Sequence, residues 1–279
     1  MEVSGVGDQG YKPGYSAYAD SIRIGNLEFQ DCVVSVMDSR STLPDVDGLI
    51  GMDVFSRFLV TLNYPKHKLL LGPLPQRPGE ATATLTLKTR DVEPDESDET
   101  NEPHEVEKQD NNAASSSATI TAVKNASPVN NPHGPYDRYI APEMKDYTKV
   151  YRLGHLLILP AGLNQEKIRL FILDTGAWTT IISPQAAREV TKVSSNYSLQ
   201  VKGISGDVKN VFTANEITFR FAQLSQKVNG VISFDTSKLS KDTGMELSGF
   251  LGASTLNLLT IHIDYRDGLV KFDYDPKHN

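Results

Sequence analysis

Lys167-Ile168-Arg169-Leu170-Phe171-Ile172-Leu173-Asp174-Thr175-Gly176-Ala177-Trp178-Thr179-Thr180-Ile181-Ile182-Ser183 is the stretch on which the reading of this chain turns. Its apolar run predicts a buried strand that halts at Asp174-Thr175-Gly176 and resumes as the β-branched, apolar Thr179 to Ile182. A carboxylate is thereby set inside a core. Burying an ionised carboxylate is expensive, so this Asp is either satisfied by close donors or held for chemistry. Thr175 supplies a hydroxyl, and Gly176 lets backbone approach closely.

Phe171-Ile172-Leu173-Asp174-Thr175-Gly176-Ala177, with an apolar strand on each side, resembles the active-site motif of the aspartic peptidases, and Ala177 looks more like the retroviral branch than the pepsin branch. The tripeptide occurs again as Asp242-Thr243-Gly244, but among Lys238, Ser240 and Lys241, with no apolar strand leading into it. That copy reads as a solvated loop.

Outward from this stretch the chain repeats itself. Gly48-Leu49-Ile50-Gly51 and Gly249-Phe250-Leu251-Gly252 match at an offset of 249 − 48 = 201, as do Val60 to Tyr64 and Ile261 to Tyr265. Val3-Ser4-Gly5-Val6 matches Val201-Lys202-Gly203-Ile204 at 198, and Ala19 to Ile22 matches Ala214 to Ile217 at 195. Four matches in order point to an internal repeat of residues 3–72 and 201–272. This resembles the two-lobed plan of pepsin-like enzymes, with one catalytic Asp per lobe. The resemblance implies an all-β protein of acid-protease-like barrel lobes, the second complete and the first incomplete. It also implies that Phe250, Leu251 and Gly252 pack behind the catalytic loop with Thr175, Gly176 and Ala177 in support, and that Gly203, Ile204, Ser205 and Gly206 form a flap over substrate. Residues 150–200 have no counterpart before residue 3, so the first lobe lacks its own motif. Asp38-Ser39-Arg40 imitates one but carries Arg where Gly is required.

The expected organisation is a partial lobe over 1–75, an acidic low-complexity linker over 76–135, and a complete lobe over 136–279. Residues 91–110 contain ten acids and one Lys, a contribution of −9, so the formal charge of −7 leaves +2 for the rest. Such a segment cannot bury enough apolar surface to offset its ordering entropy. Before it, strands are expected at Ser21 to Ile24, Leu27 to Phe29, Cys32 to Met37, Phe58 to Tyr64 and Lys68 to Leu71. After it come Tyr151 to Leu159, a turn around Pro160-Ala161-Gly162, and a helix over Pro184 to Val190. Gly5-Val6-Gly7-Asp8-Gln9-Gly10 fits a dinucleotide fingerprint, but Tyr11-Lys12-Pro13-Gly14 follows where a helix is needed, so a glycine-rich hairpin is expected.

Composition excludes several functions. Neither half interleaves basic and aromatic residues, so nucleic acid is not an expected partner. The single Cys32 rules out an internal disulfide and a cysteine metal site, and the six scattered His give no metal-ligand spacing, so neither metal nor cofactor is expected. No stretch reaches ~18 apolar residues, and Met1-Glu2-Val3-Ser4-Gly5 has no signal-peptide character, although a signal could precede it in a longer precursor.

Peptide hydrolysis without a covalent intermediate needs one group to activate water and another to protonate the substrate, and two carboxylates sharing a proton supply both. The resemblance therefore implies an aspartic endopeptidase acting on peptide or protein, with Asp174 as one half of the dyad. The other half is expected from a missing N-terminal segment or from a homodimer. The alternative is a catalytically silent β-lobe protein that binds extended peptides. Because the flanks of Asp242 are polar, Asp242→Ala should change stability by less than ~0.5 kcal/mol in urea denaturation.

Overall fold

A computed structural model describes residues 2–3, 5–25, 27–37, 47–80, 138–164 and 167–275. Asp38-Ser39-Arg40 and most of the expected linker lie outside the described residues. The first block holds β1 (Glu2–Val3), β2 (Lys12–Ile24), β3 (Leu27–Met37), a short helix α1 (Met52–Phe55), β4 (Phe58–Asn63) and β5 (Lys68–Pro73). Next come a 3-10 turn at Pro142–Met144, β6 (Thr148–Lys149), β7 (Tyr151–Leu153), β8 (Leu156–Leu163), β9 (Lys167–Leu173), β10 (Ile181–Ile182), α2 (Pro184–Arg188) and β11 (Val193–Ser195). β12 (Lys202–Gly203), β13 (Gly206–Asp207), β14 (Phe212–Ala214), β15 (Ile217–Phe221), β16 (Leu224–Val228) and β17 (Val231–Ser233) follow. The chain then runs through α3 (Ser237–Thr243), β18 (Gly249–Leu251), α4 (Ala253–Leu256), β19 (Leu259–Asp264) and β20 (Leu269–Tyr274). The protein is all-β, and its helices are single-turn connectors.

The chain clusters into two units. One contains residues 18–34 and 79–132, of which the outer part of the β2–β3 hairpin is described. That hairpin alternates half-buried and exposed positions, with Ile22, Ile24, Leu27, Phe29 and Val34 among the half-buried residues and Tyr18 exposed. The other unit contains residues 1–17, 35–78 and 133–279 and holds two large sheets.

The larger sheet is organised by a crossing. β18 lies between β9 and β10, parallel to β9 with Phe250 opposite Ile172, and antiparallel to β10 with Phe250 opposite Ile181. β10 in turn runs parallel to β17. Strands enclosed on both sides read as continuous apolar runs, as Leu170 to Leu173 and Phe250-Leu251 do. Ile158, Ile172, Ile181, Phe234, Leu247 and Phe250 form one buried cluster there, while Phe171 packs edge-on against Phe219 at 5.6 Å.

The second sheet runs β5-β4-β19-β20-β6 and joins residues 58–73 to the last two strands. β4 pairs antiparallel with β19, and Thr61 stands opposite His262, 201 residues on. Elements at this spacing look alike. Gly51 (φ −92, ψ −179) opens α1 and Gly252 (φ −104, ψ −172) opens α4, and each turn closes on an αR residue, Ser56 or Asn257. The sequences flanking the turns do not share their burial: Phe250 and Leu251 are 8% and 0% exposed, whereas Leu49 and Ile50 are 64% and 52% exposed.

Three expectations are corrected. Pro160-Ala161-Gly162 is not a turn but the middle of β8, and the turn falls at Gly154 and His155. Pro160 lies where β8 passes from its ladder with β7, ending at Ile158, to its ladder with β15, beginning at Gly162, so that edge requires no amide there. Asp242-Thr243-Gly244 is not an irregular loop but the last turn of α3. Thr243 Oγ1 donates back to Leu239 O at 2.8 Å and Gly244 caps the helix at φ 66. Asp242 itself is exposed, in keeping with its polar flanks. The helix expected over Pro184 to Val190 ends at Arg188; Ser183 caps it by accepting the Ala186 amide.

Asp267, 3% exposed, fastens the chain on either side of residues 81–137. It accepts from the Arg77 guanidinium, the Tyr139 amide at 2.9 Å and Arg266 Nε at 3.0 Å. Ala141, Met144 and Leu269 pack beside it, with Leu59, Tyr139, Ile140 and Tyr147 at the margin. Removing one partner of a buried ion pair leaves the other charge uncompensated. Asp267→Ala should therefore cost roughly 3–5 kcal/mol in urea denaturation.

Candidate active site

Asp174 sits where β9 ends and the loop to β10 begins. Its amide donates to Leu251 O at 3.1 Å, fastening the loop to the threaded strand β18. Its Oδ1 accepts the Gly176 amide at 3.0 Å, and its carbonyl accepts the Ala177 amide at 3.3 Å. Burial pushes the Asp174 carboxyl above the ordinary range, against the opposing pull of the Gly176 and Ala177 amides. Desolvation outweighs the hydrogen bonds. The residue is half-buried, and Thr175 and Gly176 are exposed beside it, with Trp178 88% exposed.

The segment opening α4 holds this loop from behind. A Cβ on Gly252 would overlap the Thr179 carbonyl and lie 2.9 Å from that of Ala177, so only glycine permits the contact. Ala253 N donates to Ala177 O at 2.8 Å, and Gly252 N donates to Thr180 Oγ1 at 3.1 Å. Thr180 Oγ1 lies 2.6 Å from Thr255 Oγ1, and the Thr180 amide donates to Ser254 Oγ at 2.8 Å. The expected support residues Phe250, Leu251 and Gly252 thus adjoin Asp174, Thr175, Gly176 and Ala177 in one assembly. Thr180, Ser254 and Thr255 belong to it as well. Their signal in the sequence was only a β-branched or hydroxyl residue next to each glycine-bearing motif.

The carboxylate in turn bears on two tyrosines. Tyr265 is pushed up to about 12, chiefly by burial and then by Tyr64 and Asp174, and Tyr64 is raised by burial and by Asp174. They are the last residues of the offset-201 match, and that shared ending was their signal.

Gly203, Ile204, Ser205 and Gly206 form the tip of the hairpin β12–β13, with Gly203 opposite Gly206. Ser205 is fully buried, and Gly206 adopts φ +85. The tip packs against residues 5–9, not among the supports of Asp174.

Neither of two surface hollows includes Asp174. One of about 530 Å³ lies between α2 and α3, lined by Ser183, Arg188, Phe212 and Lys241 among others. One of about 410 Å³ lies beside β8, lined by Ile168 and Arg220 among others. No cluster of three or more His, Cys, Asp or Glu suited to a metal occurs among the described residues. No helix among them is long and apolar enough to cross a membrane.

No protein-family model and no curated protein matches the chain. Among solved structures it is similar to the EIAV protease complexed with the inhibitor HBY-793, at 18% identity over 38% of this chain and 89% of that chain, with a TM-score of 0.29.

Gly252→Ala should force the Asp174 loop away from α4. Overpacking of this kind costs typically 1–3 kcal/mol, and the loss should appear in thermal unfolding, while Gly48→Ala, at an exposed position with nothing within 4 Å, should cost less.

Proposed function

We propose that Asp174 is one carboxyl of an aspartic-peptidase dyad and that this chain hydrolyses peptide bonds once a second Asp is brought opposite it. The observation that carries this reading is the Asp174 loop. A carboxyl set at the end of a buried strand, its acidity weakened by desolvation, is fastened to a strand threaded behind it and backed by a glycine that admits no side chain. A capped structural Asp needs none of the latter devices. In the dyad one carboxylate takes a proton from water while the other gives one to the peptide carbonyl, and later to the leaving amine.

The second Asp comes from outside residues 1–279 or from another copy of the chain. Exposure of Leu49 and Ile50 supports this. Their counterparts Phe250 and Leu251 are buried because β9 and β10 enclose them, and a hairpin of the β8–β9 kind, ending in its own Asp, would enclose Leu49 and Ile50 likewise. The two ordered blocks are then the partial and complete lobes expected from the sequence, the hairpin β12–β13 is the flap, and the substrate is an extended peptide.

A catalytically silent peptide-binding protein is the second reading. It is favoured by the exposure of Thr175 and Gly176, which leaves this face of the loop uncovered.

Two measurements test Asp174. As a monomer the 279-residue chain should cleave peptides little or not at all, and supplying the second Asp, from an N-terminal extension or a second copy, should produce an acid-shifted, bell-shaped profile that Asp174→Asn abolishes. The stability sign is also fixed. A carboxyl raised by burial contributes most while protonated, below its unfolded value near ~3.9, and that contribution is lost as pH rises through the folded value. Asp174→Asn should therefore be more stable than the wild type at pH 7, with the difference shrinking towards pH 4. Lower stability of the variant at pH 7 would mean that the loop is built to hold an anion.

A further inference from the structure

We propose that the hollow beside β8 is a binding site for a small amphiphilic anion, a carboxylate or phosphate carried on an aliphatic tail, with Arg220 holding the headgroup and a slot at Gly162 taking the tail. β9 runs from Ile168 towards Asp174 over about 20 Å at ~3.3 Å per residue, so this site is separate from the candidate active site and does not rest on the peptidase reading.

The hollow follows from a missing side chain. Gly162 stands opposite Arg220 on β15 and opposite Ile168 on β9, so three strands set these residues in one row on one face of the sheet. Glycine is not required there. A Cβ on Gly162 would meet nothing closer than 3.6 Å, whereas one on Gly249 or Gly252 would overlap backbone, and Gly162 does not adopt a positive φ. A glycine inside a strand weakens it, and the ladder from Ile158 to Leu163 runs on against β9 with no bulge at this position. What remains is a place kept open for close approach by another molecule. Pro160, two residues earlier on the same face, extends the slot at the point where β8 has left β7 and not yet met β15.

The lining has two characters. Ile168, 72% exposed, together with Pro160 and the methyl of Ala222, supplies apolar surface. Arg220 and Lys167 supply positive charge. Among the described residues neither of these side chains donates a hydrogen bond or enters an ion pair. Glu189, which feels the charge of Lys167, is held by Arg169 at 2.6 Å, and Glu216, just before β15, is held by Lys227 at 2.8 Å. An anion without a tail would leave Ile168 in water, and a tail without a charge would leave Arg220 unused. A planar guanidinium meets carboxylate or phosphate oxygens two at a time, and the volume of about 410 Å³ falls in the range of small-molecule sites.

Isothermal titration calorimetry of the full chain at pH 7 with octanoate and with octyl phosphate should show one saturable site at or below roughly 1 mM. Octanol and acetate should each bind at least tenfold more weakly. Arg220→Gln should weaken octanoate and octyl phosphate at least tenfold, and Gly162→Val, which fills the slot, should do the same. Ile168→Asp, at an exposed position, provides a second variant where Gly162→Val fails to fold, and its like charge should also weaken both ligands at least tenfold. Binding of only one of the two anions, lost in these variants, would support the site and identify its headgroup. No binding of either anion by the wild type, or binding unchanged in Arg220→Gln and Ile168→Asp, would overturn the site. Octanol bound as tightly as octanoate would overturn the anionic class of ligand.

Discussion

Everything around Asp174 depends on β18 being threaded between β9 and β10. The strand carries two apolar side chains into a fully enclosed position, and its last carbonyl, that of Leu251, anchors the Asp174 amide. Immediately beyond it Gly252 lets α4 close against the loop: Ser254 Oγ accepts the Thr180 amide, and Thr180 Oγ1 accepts the Gly252 amide and pairs with Thr255 Oγ1. A loop of two unpaired strand ends would be mobile in isolation. Here it is pinned from below at several points, while Thr175 and Gly176 stay exposed above.

The first block shows what the same sequence pattern does without that enclosure. Gly48-Leu49-Ile50-Gly51 leads into α1 just as Gly249-Phe250-Leu251-Gly252 leads into α4, and the backbone at the two turns agrees closely. The turn is therefore a local property of glycine followed by a short helix. The strand before it is not local: it needs partners on both edges, and where no described strand supplies them two large aliphatic residues face solvent.

Much of this was legible in the residues. The strand into Asp174, the glycine behind it, and Gly203 and Gly206 at the β12–β13 tip are short-range patterns, and each marks an element in the structure. What failed was also local in cause. Pro160 reads as a turn because proline punctuates chains, yet β8 changes partners at that residue. Asp242 reads as loop because its neighbours are polar, yet polar residues serve equally well on a one-sided helix whose apolar contact with the core is Leu239. The influence of Asp174 on Tyr64 and Tyr265, and the grip of Gly5 to Gln9 on Ser205, join residues about 90 to 200 positions apart. No window of sequence contains both members of such a pair.

The pairing of β4 with β19 has one more consequence. Thr61 and His262 face each other where equivalent positions of the two blocks meet, and they are unlike: the hydroxyl lies 2.8 Å from Nδ1, while Nε2 lies 3.1 Å from Asp273. Two copies of the later block joined the same way would set imidazole against imidazole, and two of the earlier block hydroxyl against hydroxyl. Neither offers the complementary ring nitrogen and hydroxyl found here. The seam is thus heterotypic within a single polypeptide, and its hydroxyl–imidazole–carboxylate chain needs a residue from each block.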